Sequence, residues 1–226
     1  MPSLQLGFLI AAATAAPMGA VGAGPSTDAQ IMQQALKDSR DSLRDAIAKM
    51  DTLIEELKAS KNPLGPIASE TYTAVIVWLN VLPGSGKGPV SQLQSARDLM
   101  NRNLNLKTSK NTDPPLQRGG PILVQGSTTP TTNYHGNTPG DADRGTDCGD
   151  SFFNPDGPNC RRDVITHEFF HILGVHHGGG ALDGPTIREK ITTIDQALDS
   201  ADNLAQLVAR LTTLGGRTDA CTRPNE

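Results

Sequence analysis

The sequence predicts an α+β fold, mostly helical with a small irregular sheet. Three observations lead there. Apolar residues recur at helical spacing along the first part of the chain and again near its end. A middle zone, residues 108–159, is dominated by Pro, Gly, Asn, Asp and Thr and holds one good strand candidate. The stretch HEFFHILGVHH, residues 167–177, concentrates nearly all the histidines of a histidine-poor chain.

The 226 residues suffice for one domain, or for one domain with an appended arm. Residues 1–23 contain no charged side chain. Within them, residues 4–16 form an apolar run of signal-peptide length, followed by small residues. A signal peptide cleaved after Ala15 or Ala23 is therefore expected, and with it a secreted protein. A plain Ala/Gly-rich tail is the competing reading. Residues 24–110 read as a helical N-terminal region, either a removable propeptide or part of the domain that follows. Residues 111–226 read as the core that carries the site.

In residues 27–60, Met32, Leu36, Leu43, Ile47, Met50, Ile54 and Leu57 line one helical face, with charged residues between them. Asp28 is the expected N-cap. Asn62-Pro63 and Gly65-Pro66 break this helix. Residues 69–82 are apolar enough for a buried helix or a strand, with Trp78, the only tryptophan, as a core anchor. A loop at 83–88 leads to a shorter helix bearing Leu93, Ala96, Leu99, Met100 and Leu104 on one face. In the middle zone PILVQGS, residues 121–127, is the strand candidate, and GDSFFNPDGPN after Cys148 reads as a turn or hairpin. A last helix around Leu204, Leu207 and Leu211 is expected to support the site.

Residues 163–174 read as the helix that carries the histidines. His167 and His171 are four apart, so both imidazoles lie on one face, one turn apart. That spacing lets two nitrogens reach one zinc ion at about 2.0–2.1 Å. Glu168, one position around, faces the reacting water without ligating and can serve as general acid/base. Gly174 can take a positive φ, end the helix and turn the chain back, which brings His177 to a third position. The full string, H-E-x-x-H-x-x-G-x-x-H, is the metzincin pattern. The competing reading is a capped core helix with histidines in a solvated loop. All the methionines precede the motif, so no Met-turn follows it.

Cys148 and Cys160 flank the Gly/Pro/Asn-rich stretch, and a disulfide between them is expected to rigidify the approach to His167. Closing so short a loop is worth about 3 kcal/mol. Cys221 is then left free, or it replaces one of that pair. The net charge of −4 argues against a nucleic-acid binder, which needs a basic face. No apolar run reaches the ~18 residues of a membrane span. PGSGKG at residues 83–88 lacks the spacing of a phosphate-binding loop.

From Cys148 onward the chain also resembles the deuterolysin group of secreted fungal zinc endopeptidases, the aspzincins. CGDSFF, THEFFHILGV, a glycine-rich turn and QALDSADNLAQLV at residues 196–208 fall in that family's order. The resemblance implies a zincin-like metallopeptidase domain, with His167 and His171 as zinc ligands and Glu168 as acid/base. It also implies a secreted endopeptidase acting on proteins or peptides, and a monomer is expected. The family takes its third ligand from an aspartate, and Asp183 in GGGALDG is the corresponding position. His177 and Asp183 thus compete for one coordination position, and the complete spacing favours His177. Asp183 then serves to orient a ligand imidazole. The family's Tyr-Gly is replaced by Gly184-Pro185, which leaves Tyr134, His135 and Arg188 as alternative oxyanion donors, each equally readable as a loop residue. Asp195, Asp199 and Asp202 suit either a lysine-accepting pocket or a solvated helix face. The function expected is zinc-dependent peptide-bond hydrolysis. The alternative is an inactive zinc-binding secreted module or a toxin-like protein.

Overall fold

The structure, a computed structural model, describes residues 27–79, 88–123, 128–153, 157–177 and 193–212. The expected signal peptide, Asp183, Arg188 and Cys221 lie outside these residues. In chain order the helices are α1 (Asp28–Lys58), α2 (Pro66–Leu79), α3 (Gly88–Leu104), α4 (Asp150–Phe153), α5 (Gly157–Ile172), α6 (Ile194–Leu198) and α7 (Ala201–Leu211). Between α3 and α4 lie three short strands, β1 (Leu116–Arg118), β2 (Gly136–Asn137) and β3 (Thr146–Cys148). They form a mixed sheet in the order β1-β3-β2. β1 runs parallel to β3 with Leu116 opposite Thr146, and β2 runs antiparallel with Gly136 opposite Cys148. The chain is therefore α+β and mostly helical. No helix among the described residues is long and apolar enough to cross a membrane.

The N-cap of α1 is Thr27 rather than Asp28. The Thr27 hydroxyl accepts from the Gln30 N–H at 3.3 Å while the Gln30 side chain accepts from the Thr27 N–H at 2.9 Å. This reciprocal pair satisfies two donors, whereas Asp28, inside the first turn, complements the helix dipole and accepts from Arg118 of β1 at 2.7 Å. The apolar stretch after Gly65 resolves as a helix, α2. The strand expected at 121–127 is reduced, where described, to a single bridge between Ile122 and Thr131. Pro121 has no N–H to extend the pairing. The parallel strand β1 lies just upstream instead, between Pro114-Pro115 and Gly119-Gly120. The stretch after Cys148 is not a hairpin. Asp150–Phe153 is a short helix and α5 begins at Gly157, six residues before the expected start at Asp163. Pro158 is tolerated because the first turn of a helix does not use its N–H groups.

Two hydrophobic clusters hold these elements together, and α5 belongs to both. Leu43, Met50 and Leu53 of α1, Val75 and Leu79 of α2, Leu93 and Met100 of α3, and Leu204 and Leu207 of α7 bury around Phe170. The adjacent residue, Phe169, joins Ile165, Cys148, Phe152, Ala35 and Leu106 in the second cluster. Neighbours on a helix point about 100° apart, so two consecutive phenylalanines serve two cores. Each buried ring is worth about 1.5–3 kcal/mol relative to exposure.

Candidate metal centre

The histidine helix is held in register from the N-terminal side. Thr166, just before His167, shares a hydrogen bond with Ser39 of α1 at 2.7 Å and donates to the Arg162 carbonyl at 2.9 Å. Its own carbonyl accepts from the Asn103 amide of α3 at 2.9 Å. These groups are buried, so each bond also removes an otherwise costly unsatisfied atom.

At its C-terminus α5 closes in a Schellman motif. Gly174 has φ of 82°, the Val175 N–H reaches the Phe170 carbonyl at 3.1 Å, and the Gly174 N–H reaches the His171 carbonyl at 2.9 Å. The chain then reverses as the spacing predicts. Its new direction is fixed by the start of α7. The Ala201 N–H donates to the His176 carbonyl at 2.8 Å, and His177 forms an antiparallel bridge with Ser200.

These two devices bring the imidazoles of His167, His171 and His177 together. One ligand nitrogen from each lies within 4.8 Å of the others, so the group can hold a metal ion. The ring centroids of His171 and His177 are 4.4 Å apart, and those of His167 and His171 are 4.6 Å apart. The outward nitrogens are all committed. His171 Nδ1 donates to the Val175 carbonyl at 2.7 Å. His167 Nδ1 lies 3.1 Å from Asp202 Oδ1, and His177 Nδ1 lies 3.0 Å from Asp202 Oδ2.

The donor set fits a cation. The Nε2 atoms of His167 and His171 face each other at 2.9 Å. Both Nδ1 atoms already donate, so neither ring, when neutral, has a proton to place between the two Nε2 atoms. A protonated His171 is opposed by burial and by the neighbouring His167, which push its pKa down to about 4. A metal ion held between them would resolve the contact, since two zinc-type bonds of about 2.0–2.1 Å in a tetrahedral shell would set the nitrogens about 3.3 Å apart. Burial alone would raise the Asp202 pKa, but the hydrogen bonds from His167 and His177 outweigh it and hold the carboxyl far below its usual range. Asp202 is thus an acceptor at both oxygens. Its part was hidden in the sequence, where it stood only as one of three acids near a possible lysine pocket. Asp199 is exposed and pairs with His176 at 3.0 Å, which leaves His176 outside the cluster.

Glu168 is 6% exposed and packs beneath the edge strand β2. A Cβ at Gly136 would lie 2.7 Å from Glu168 Cγ, so only glycine permits this approach. The Thr138 hydroxyl bonds the Glu168 carboxyl, and Thr146 stands behind Thr138 at 2.8 Å. Burial raises the Glu168 pKa, while His167, Thr138 and His177 pull it down.

Other site expectations change. Tyr134 is buried, and its hydroxyl donates to the Gly120 carbonyl at 3.0 Å, so it is not turned toward the histidines as an oxyanion donor. His135 Nδ1 instead lies 3.9 Å from Cys160 Sγ. The Cys148–Cys160 bridge is not formed. Cys148 is a buried free thiol in β3, facing the second core cluster, whereas Cys160 on α5 is disulfide-bonded. Helices α4 and α5, in the described parts of the segment between them, stand where the hairpin on which that pairing rested was expected.

Compared with known proteins, the chain matches no family model, no curated protein and no solved structure.

Proposed function

We propose that this chain is a secreted zinc metalloendopeptidase in which His167, His171 and His177 hold the metal and Glu168 is the general acid/base. The observation that carries the reading is the convergence of three imidazoles whose outer nitrogens are all engaged, with a buried carboxylate next to the first on the same helix. Zinc in such a site supplies a Lewis acid that polarises a carbonyl and makes water more acidic near neutral pH. Glu168 takes a proton from water as its oxygen adds to the scissile carbonyl carbon. It returns that proton to the amide nitrogen as the C–N bond breaks, giving a carboxylic acid and an amine. Burial suits Glu168 to both roles, because a raised carboxyl pKa moves toward working pH. Thr138 and Gly136 fix where that carboxylate stands. β2 has β3 on one side only among the described residues, and an extended peptide is a fitting partner for its other edge.

An intact, positioned Glu168 argues against a purely structural zinc site, which has no use for it. The uncharged apolar N-terminus supports secretion, and the deuterolysin-like order of motifs supports an endopeptidase. Glu168→Gln is the test. Zinc is expected to stay near one per chain while hydrolysis of a casein or peptide substrate falls about 10²–10⁴-fold. Undiminished hydrolysis in the variant rejects the enzyme reading. Wild-type protein that binds zinc but cleaves nothing favours the inactive module.

A further inference from the structure

We propose that Asp202 is a positioning residue that sets the tautomer of two imidazoles at once, so that both His167 and His177 present a bare Nε2 to one metal ion. The inference rests on the metal-site reading above and adds a residue to it. An ionised carboxylate only accepts hydrogen bonds. Each of its oxygens meets a different Nδ1, at 3.1 Å for His167 and 3.0 Å for His177. Each Nδ1 therefore carries the proton, and a neutral imidazole has only one. Both Nε2 atoms are left as lone pairs. His171 reaches the same state by another route, through the Val175 carbonyl. One carboxylate and one carbonyl thus fix three rings.

Asp202 is well placed for this task because it is itself immobilised. It sits in the first turn of α7 and is 8% exposed. Ser200 caps that turn by accepting from the Asn203 N–H at 3.3 Å. The Asn203 amide in turn donates to the carbonyls of Trp78 and Ala197. The bridge between His177 and Ser200 ties the reversed chain to the same turn. The first turn of α7 is therefore the backing plate of the site. Its charge also offsets part of the charge that a divalent ion brings to three neutral ligands.

The tautomer argument separates variants that shape alone does not. Asp202→Asn keeps the size of the side chain but offers one acceptor oxygen and one N–H donor. One of the two imidazoles then meets a donor, must accept at Nδ1, and moves its proton to Nε2, where a metal would bind. Asp202→Glu keeps two acceptors at the cost of one extra methylene. Zinc affinity by competition with a chelating dye, together with the visible spectrum of the cobalt-substituted protein, reads the difference. Asp202→Asn is expected to weaken zinc binding about 10–100-fold and to shift the cobalt bands, with far-ultraviolet circular dichroism unchanged. Asp202→Glu is expected to bind more tightly than Asp202→Asn. A purely packing role demands the reverse order, because asparagine is the closer match in shape, and that order overturns the proposal. If Asp202→Asn does not fold, Asp202→Ala replaces it, and a glutamate variant no better than alanine has the same force. Equal zinc affinity in every variant rejects the role of Asp202 alone. Wild-type protein that binds no zinc rejects the metal-site reading and this one with it.

Discussion

At the scale of single residues, the site depends on what each side chain is denied as much as on what it touches. Cys148 is an example. Burial, with the negative charges of Glu168 and Asp147, pushes its thiol up to about 12. A thiol with a raised folded-state pKa contributes stability that is fully present below pH 9, its ordinary value, and lost as pH climbs toward 12. Native protein at pH 8 is therefore expected to resist iodoacetamide at Cys148 and to react there only after unfolding. Rapid labelling of that thiol in the folded state, followed by peptide mass mapping, contradicts its placement. The histidine spacing, the glutamate beside it and the glycine after it were legible in the sequence because a helix converts position into direction. Asp202 was not, because the contact it makes crosses from α7 to α5 and leaves no local pattern.

At the scale of elements, α5 and its terminus decide whether the third histidine arrives. Nothing lies within 4 Å of a Cβ built at Gly174, so an added methyl there is opposed by the positive φ alone. Gly174→Ala is expected to lower stability by about 1 kcal/mol and to weaken metal binding, with Gly174→Asn milder on both counts. Thermal unfolding and metal titration check this, and an alanine variant with unchanged stability and metal affinity rejects the Schellman closure as the device that delivers His177. The long helices α1, α3 and α7 were readable from apolar periodicity over many residues, whereas the uniformly apolar α2 suited a strand equally well and the short α4 and α6 gave no period to read. The strands were not readable either, since β1, β2 and β3 span only two or three residues each and give alternation no room to show. The disulfide misreading has the same root, because Pro and Gly around Phe153 suggested a turn where the chain starts two helices.

At the scale of the molecule, the region before residue 111 is joined to the site by burial. Leu43, Met50 and Leu53 of α1 share a core with Phe170 of α5 and Leu204 of α7, and Ser39 bonds Thr166 directly. On the secreted reading proposed above, the mature protein is expected to keep α1, and N-terminal sequencing is expected to find a start upstream of Asp28. A start near residue 111 in active protein would mean that α5 and α7 stand without this core. The same Ser39–Thr166 bond joins positions 127 apart in sequence. Closing loops of that size costs entropy that rises with the logarithm of their length, and pairings of such separation form slowly. The three histidines are neighbours along the chain, but, the Val175 carbonyl apart, the groups that hold them in place come from elsewhere in it: Ser39 and Asn103 far upstream and Asp202 downstream. A metal ion offered to the unfolded chain meets the right donors with no geometry, and the centre matures only after distant helices have found each other.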